Sequence, residues 1–269
     1  MALEDPKTLV STAWLAAHLR DPDLRVIDAS WYLPDMGRDA KAEYAKAHIP
    51  GARFFDIDEI ADTRSGLPHM APPPEKVISR LRAMGIGDGH QVVVYDGAGI
   101  FSAPRVWWTF RLMGKTDVAV LDGGLPRWLS EGRPVEDMPP PFRDRHMTVQ
   151  RQAGLVKDVT QAAAAAKLGD HEIIDARSPG RFRGEEPEPR PGLRGGHIPG
   201  SKNVHYRSLL NDDGTMKSPD ALKAAFAAAG VDLAKPAITT CGSGVSAAIL
   251  SLALERIGKT PSMSNLDEM

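Results

Sequence analysis

The chain of 269 residues contains two copies of one sequence pattern. The segment Val-Ile-Asp-Ala at residues 26–29 returns as Ile-Ile-Asp-Ala at residues 173–176, and His-Ile-Pro-Gly at residues 48–51 returns at residues 197–200. Further along, Tyr95-Asp96-Gly97-Ala98-Gly99 aligns with Thr240-Cys241-Gly242-Ser243-Gly244. A repeat of this length is typical of one fold present twice in tandem. It therefore predicts two domains of the same architecture.

The two copies are separated by a stretch rich in proline and charged residues, with three consecutive prolines at positions 139–141. Such a stretch is typical of a semi-rigid linker. We therefore expect a first domain over residues 1–135, a linker over 136–153 and a second domain over 154–269. Each domain is long enough to bury a core of its own.

Within each copy, short apolar segments alternate with helical patterns. Strands are expected at residues 24–29, 91–95, 118–121, 172–176 and 237–240, and helices at 74–84 and 219–229. This alternation predicts an α/β fold in which each domain is a parallel sheet flanked by helices. Ligands of such sheets bind at the carboxyl ends of the strands.

The single cysteine, Cys241, directly follows one of these predicted strands. Gly242, Ser243 and Gly244 come next, and a helical pattern begins at Val245 and Ser246. A sulfur at a strand end and a helix N-terminus lies among unpaired backbone N–H groups, which favour an anion. Cys241 is therefore a candidate nucleophile, held as a thiolate.

Several other kinds of chemistry are disfavoured. A phosphatase loop of the Cys-x5-Arg type needs arginine six positions after the cysteine, where Ala247 stands. One cysteine and scattered histidines cannot form a redox dithiol or a structural zinc site, and no metal or organic cofactor is expected. A net charge of −2 gives no basic surface for nucleic acid. We also expect no membrane span and no signal peptide, hence a cytoplasmic location.

The repeated Asp-Ala strand end, the repeated His-Ile-Pro-Gly turn and the loop that begins at Cys241 resemble those of the tandem-domain rhodaneses, a family of sulfurtransferases. The resemblance extends from about residue 14 to about residue 262. It implies that the first domain is an inactive copy, in agreement with Asp96 at the position of Cys241.

The uncharged loop of Gly242, Ser243 and Gly244 is similar to that of the 3-mercaptopyruvate sulfurtransferases within this family, whereas rhodaneses that use thiosulfate place Arg and Lys after the cysteine. The resemblance further implies that Arg181 and Arg190 hold the substrate carboxylate. Planar guanidinium groups are well suited to that task.

The resemblance also assigns two residues of the first domain to the reaction. Asp58 is expected to work with Ser243 and Cys241 in orienting or relaying a proton, and His69 to hydrogen-bond near the substrate. His48 and His197 precede a turn in both copies, so we interpret them as structural. Trp107 and Trp108 are interpreted as core residues.

The expected function is a sulfurtransferase that moves sulfur from 3-mercaptopyruvate to Cys241 as a persulfide and releases pyruvate. The acceptor is expected to be cyanide, a small thiol or reduced thioredoxin. Two alternatives stay open: a thiosulfate:cyanide sulfurtransferase, and an inactive rhodanese-like binding protein or fragment.

The second alternative depends on the end of the chain. After Gly114-Lys115 the first copy continues through a strand, a glycine turn and a helix, whereas only ten residues follow Gly258-Lys259. We therefore expect the second domain to be truncated, with its last strand and helix missing.

Overall fold

The computed structural model of the protein describes residues 5–141, 143–189 and 193–264. The chain divides into two compact units. Unit 1 comprises Met1–Gln152 together with Asp212–Met216, and unit 2 comprises Ala153–Asn211 together with Lys217–Met269.

Unit 1 is built on a five-stranded parallel sheet flanked by helices. Its strands are β1 (Leu9–Val10), β2 (Leu24–Asp28), β3 (Ala52–Phe54), β4 (Gln91–Tyr95) and β5 (Val118–Leu121). Its helices are α1 (Thr12–His18), α2 (Ala40–Lys46), α3 (Pro74–Ala83), α4 (Ala103–Leu112) and α5 (Gly124–Ser130). The strand order is β1-β5-β4-β2-β3, and every pair is parallel.

The local sequence explains these elements. Ser11 and Asp39 cap α1 and α2 by accepting hydrogen bonds from backbone N–H groups of the first turn. The valines of β4 are fully buried, as expected of a central strand covered on both faces. Trp107 and Trp108 are buried in α4, which confirms their interpretation as core residues.

Unit 2 repeats this plan. Its strands are β6 (Val156–Lys157), β7 (Glu172–Asp175), β8 (Lys202–Asn203), β9 (Ala237–Thr240) and β10 (Ser262–Ser264), and its helices are α6 (Val159–Leu168), α7 (Pro179–Arg183), α8 (Pro219–Ala228) and α9 (Val245–Arg256). The order is β6-β10-β9-β7-β8, again parallel throughout. Asp175 at the end of β7 lies beside Thr240 at the end of β9, so both central strands end at the same edge.

The prediction that unit 2 lacks its last strand is wrong. Strand β10 lies between β6 and β9, the place that β5 takes in unit 1. Met263 pairs with Val156 on one side and with Thr239 on the other. The counterpart of helix α5 would begin beyond Ser264, outside the described residues.

Two segments pack on unit 1 that the sequence did not assign to it. Much of the predicted linker hydrogen-bonds to unit 1, for example through Gln152 N–H, which donates to the Leu112 carbonyl at 2.7 Å. In the segment Asp212–Met216, the Met216 N–H donates to the Asp122 carboxylate at 2.8 Å. Among the described helices, none combines the length and the apolar character that crossing a membrane requires.

Candidate active site

Cys241 lies in a short loop between a central strand and a helix of unit 2. Strand β9 ends at Thr240 and α9 begins at Val245. Gly244 turns the loop with a φ of 77°, a left-handed conformation that glycine adopts without strain. Its backbone N–H donates a hydrogen bond to Sγ of Cys241 over 3.1 Å. The half-buried sulfur therefore lies at the N-terminal end of a twelve-residue helix, where an anionic sulfur is stabilised.

A cavity of about 460 Å³ opens beside Cys241 within unit 2. Its wall includes Cys241 and Gly242 from the loop and the carboxyl end of β7. The segment from Leu193 to Pro199 supplies much of the rest. The ionisable side chains among its lining residues are Asp175, Arg177, Glu188, Arg194 and His197, together with Cys241. Cys241 thus lies beside a space large enough for a small-molecule ligand.

One side of this cavity is a network of ion pairs. Arg177 donates from Nε and Nη2 to the Asp175 carboxylate, from Nη2 also to the Gly196 carbonyl, and from Nη1 to Glu188 Oε1 at 2.7 Å. Burial lowers the pKa of Arg177, but its bonds to Asp175 and the charges of Asp175 and Glu188 outweigh this, and the pKa is raised overall. The guanidinium group therefore stays charged and fixed at the cavity wall.

Of the two arginines predicted to hold the substrate carboxylate, Arg181 and Arg190, the structure describes only Arg181. Arg181 lies in α7 and donates from Nη2 to Glu188 Oε2, so that Glu188 is shared between Arg177 and Arg181. Arg181 is not one of the described residues that line the cavity. Arg190 lies outside the described residues.

The structure brings Asp58 and His69 together in unit 1. His69 Nε2 is 2.7 Å from Asp58 Oδ1, and Trp31 Nε1 donates to Asp58 Oδ2 at 3.0 Å. The hydrogen bond from His69 is the main cause that holds the pKa of Asp58 below its usual value. His69 has a φ of 56°, the one positive φ among the described residues other than glycine, and Arg105 donates to its carbonyl. Such a backbone persists only where its surroundings fix it.

The two repeated histidines make the same kind of contact, each within its own unit. His48 stacks on Tyr44 and hydrogen-bonds to the Tyr44 carbonyl at 2.7 Å, and His197 stacks on Phe182 and hydrogen-bonds to the Phe182 carbonyl at 2.7 Å. His48 is fully buried, whereas His197 is exposed and also lines the cavity beside Cys241. The contacts of His48 agree with a structural role. His197 makes equivalent contacts but also lines the cavity beside Cys241, so a structural role does not explain its whole environment.

Sequence reasoning missed Arg177 and Glu188 as components of this site. A signal for Arg177 was present, because it follows the repeated Asp-Ala segment at the position where the first copy has Ser30. Where the two copies carry different residues at the ends of equivalent strands, the two domains are expected to differ in their chemistry. Asp96 and Cys241 are a second pair of this kind. No comparable signal marks Glu188, whose partners come from α7 and from the end of β7.

In unit 1 the equivalent loop is occupied by a buried carboxylate. Asp96 accepts a hydrogen bond from the N–H of Ala98 on Oδ1, and three more on Oδ2, from the N–H groups of Phe101, Ser102 and Ala103, all between 2.8 and 2.9 Å. The side chain is completely buried. The loop that joins β4 to α4 in unit 1 therefore binds a carboxylate through its backbone N–H groups.

In the part of the chain that the structure describes, no group of three or more His, Cys, Asp or Glu side chains is arranged to bind a metal ion.

Comparison with known proteins identifies related chains over nearly the full length. The model of the rhodanese-like domain family matches residues 11–131 and 158–268. Thiosulfate/3-mercaptopyruvate sulfurtransferase 1, mitochondrial, from Arabidopsis thaliana is 42% identical over 275 residues, covering 94% of this chain and 72% of that protein. The 3-mercaptopyruvate sulfurtransferase of Homo sapiens is 41% identical over 262 residues, covering 94% and 87%. SseA from Escherichia coli, whose structure is described among the 3-mercaptopyruvate sulfotransferases, superposes with a TM-score of 0.89 at 36% identity and covers 97% and 98%.

Proposed function

The chain belongs to the rhodanese family and is a sulfurtransferase, and from this premise we propose that Cys241 carries the transferred sulfur and that 3-mercaptopyruvate donates it. The observation that supports this most strongly is the position of Cys241 in an uncharged Gly-Ser-Gly loop, with its sulfur hydrogen-bonded to a backbone N–H and open to a cavity. The matching position in unit 1 holds Asp96, which cannot form a persulfide, so the reaction belongs to unit 2.

In the first half-reaction the Cys241 thiolate attacks the sulfur of 3-mercaptopyruvate. A bond forms between the two sulfur atoms and the carbon–sulfur bond of the donor breaks, with its electron pair left on the carbon as the enolate of pyruvate. The proton of the donor thiol ends on that carbon, which gives pyruvate and a Cys241 persulfide anion. Backbone N–H groups of residues 242–246 stabilise the anionic sulfur, as oxyanion-hole donors stabilise oxygen.

Arg181 and Arg190 are assigned to the donor carboxylate, as the family resemblance implies. The supporting contact for Arg181 is its pairing with the buried Glu188, which fixes the guanidinium group in one orientation. Asp58 and Ser243 are assigned to orienting or relaying the proton, and His69 to binding near the substrate. The short bond between Asp58 and His69 and the constrained backbone of His69 support a functional interpretation of this pair.

In the second half-reaction a nucleophile attacks the outer sulfur of the persulfide. Its bond to Sγ of Cys241 breaks and the thiolate is restored. Cyanide, a small thiol or reduced thioredoxin would each serve as this nucleophile without an added oxidant or reductant.

Mass spectrometry of the intact protein tests this function directly, because Cys241 is the only cysteine of the chain. After brief exposure to 3-mercaptopyruvate and removal of the excess, we expect the mass to increase by one sulfur atom, and subsequent cyanide to remove that increase. The variant Cys241→Ser should gain no sulfur and transfer none while keeping the wild-type circular dichroism spectrum.

Steady-state assays with two donors separate the alternatives. We expect a higher kcat/KM for 3-mercaptopyruvate than for thiosulfate. The reverse order would assign the chain to thiosulfate:cyanide sulfur transfer. Absence of turnover and of a mass increase with both donors would show that the chain is an inactive member of the family.

A further inference from the structure

The carboxylates and arginines around the Cys241 cavity fall into two sets. Asp175, Arg177, Glu188 and Arg181 form a closed network in which two carboxylates balance two guanidinium groups. This network carries no net charge, and the donors of Arg177 point at internal acceptors. It fixes the cavity wall, and Nε of Arg181 is buried with no hydrogen-bond partner among the described residues, in line with the assignment of Arg181 to the donor carboxylate.

Arg194 is different. It lines the same cavity, and its side chain is exposed. Within residues 5–141, 143–189 and 193–264, no carboxylate forms an ion pair with Arg194 and no acceptor binds its guanidinium group. Among the described arginines that line this cavity, Arg194 thus has its charge and its donors available to a molecule that enters from solvent.

The size of the cavity bears on the kind of molecule that Arg194 can bind. A cavity of about 460 Å³ lies within the range of pockets that enclose drug-sized ligands, and 3-mercaptopyruvate has only seven heavy atoms. Cys241 is half-buried and Arg194 is exposed, and both line this one cavity. A cavity of this size has room for a thiol that carries its carboxylate several bonds from its sulfur and contacts both residues.

We propose that Arg194 binds the carboxylate of the acceptor, and that the acceptor is a low-molecular-weight thiol with a carboxylate several bonds from its sulfur. This assignment rests on the proposed function and specifies its second half-reaction. The acceptor thiolate attacks the outer sulfur of the Cys241 persulfide, a new sulfur–sulfur bond forms, and the bond to Sγ breaks. The products are the acceptor persulfide anion and the Cys241 thiolate, so atoms and charge balance.

The proposal predicts a specific effect of acceptor charge. Persulfide and attacking thiolate are both anions, and a guanidinium group at the entrance favours the approach of the second. A thiol whose carboxylate is esterified loses that attraction while its thiol chemistry stays the same. Arg194 should therefore raise kcat/KM for the acid and leave that for the ester unchanged.

The test compares 6-mercaptohexanoate with its methyl ester as acceptors, with 3-mercaptopyruvate as donor. The variants are Arg194→Gln, Arg194→Lys and the control Arg183→Gln, which removes an exposed arginine of the preceding helix that pairs with Glu185. In this two-step reaction kcat/KM for the donor reports the first half and kcat/KM for the acceptor reports the second, so each half is measured in each variant.

We expect Arg194→Gln to lower kcat/KM for the acid about fivefold, the effect of one exposed ion pair. The values for the ester, for cyanide and for the donor should stay within twofold of wild type. Arg194→Lys should recover much of the loss, and Arg183→Gln should show none. In the wild type, raising the ionic strength should lower kcat/KM for the acid and leave kcat/KM for the ester unchanged. In Arg194→Gln, kcat/KM for the acid should no longer depend on ionic strength.

Two results would overturn the proposal. If Arg194→Gln lowers kcat/KM for the donor and not for the acid acceptor, Arg194 belongs to the donor site. If acid and ester are affected equally, its charge has no role in binding. Failure of the proposed function is a separate outcome, since the wild-type protein would then transfer no sulfur to any acceptor.

Discussion

Asp96 in unit 1 and Cys241 in unit 2 occupy the same position after the central strand of their sheets, yet the following helices begin at different distances. Seven residues separate β4 from α4, whereas four separate β9 from α9. The Asp96 carboxylate accepts the N–H groups of residues 101–103, while Cys241 accepts that of Gly244. In unit 1 the anion that organises the loop is part of the protein. In unit 2 the same position holds Cys241, and the anion at the loop is its sulfur in the proposed reaction.

Asp96→Asn is expected to destabilise the protein markedly. The amide would place an NH₂ group or a less basic oxygen against four backbone donors in a site without solvent access. Buried donors that lose an ionised acceptor cost roughly 3 kcal/mol or more in total. Urea unfolding of Asp96→Asn, beside Asp220→Asn with its exposed carboxylate, measures this. Equal midpoints for the two variants would contradict the structural role of Asp96.

The donor preference is expected to follow the charge of the Cys241 loop. Gly242 and Ser243 carry no charge, and the network of Arg177 and Glu188 beside them is neutral. Replacing Gly242 by Arg and Ser243 by Lys adds two cations next to the sulfur, which favours a dianionic donor. We therefore expect the ratio of kcat/KM for thiosulfate to that for 3-mercaptopyruvate to rise by roughly tenfold or more, corresponding to about 1.4 kcal/mol or more.

The control for this change is a variant in which Gly242 and Ser243 are replaced by Gln and Met, residues of similar size without charge. A similar shift in both variants would show that size and not charge sets the preference. A loss of activity with both donors in the charged variant alone would show that the loop cannot accept cations.

Met263→Ala is expected to destabilise unit 2. Met263 is 1% exposed in β10, and its strand connects β6 to β9, the strand that leads to Cys241. Truncation of a buried methionine costs about 2–5 kcal/mol. Met138→Ala is the matched control because Met138 is 71% exposed. If the two variants unfold at the same urea concentration, β10 contributes no packing to unit 2.

The example of β10 shows what the sequence could and could not predict. Strands with continuous apolar or β-branched residues were placed correctly, and β4, β5 and β9 were predicted with the same bounds that the structure has. The segment Ser262-Met263-Ser264 has one apolar residue, so periodicity alone does not indicate a strand. Its burial comes from two neighbouring strands, which is a tertiary effect on a weak local preference.

The residues of the candidate site also divide into those that local sequence predicts and those that depend on tertiary contacts. The place of Cys241 between strand and helix follows from local sequence, and so does the loop glycine at 244. The shared carboxylate of Glu188 does not, because it depends on how the segment after α7 folds back toward Arg177. Nothing in the sequence distinguishes Glu188 from Glu185 and Glu186, which stand within three residues of it.

Glu188 gives rise to a prediction about pH. Its carboxylate is 3% exposed and lies between Arg177 and Arg181. Burial raises the pKa of Glu188, but the hydrogen bond and charge of Arg181 and the charge of Arg177 outweigh it, so the pKa lies below its ordinary value of 4.5. A carboxylate whose pKa is lower in the folded than in the unfolded protein stabilises the fold fully above the unfolded value. That contribution is lost as pH falls toward the folded value.

Glu188→Gln should therefore have its largest effect near neutral pH. Breaking a buried ion pair by removing one partner costs about 3–5 kcal/mol, and we expect the free energy of unfolding at pH 7 to fall by an amount in this range. Below pH 4.5 the difference from wild type should shrink, because Glu188 is then protonated in the unfolded wild-type chain while the folded protein still holds it ionised, which lowers the stability of the wild type. Urea unfolding at pH 7, 5 and 4 measures both effects, with the exposed Glu185→Gln as a control expected to change little. A constant difference between Glu188→Gln and wild type at all three pH values would mean that the charge of Glu188 does not contribute, and that its side chain acts through shape alone.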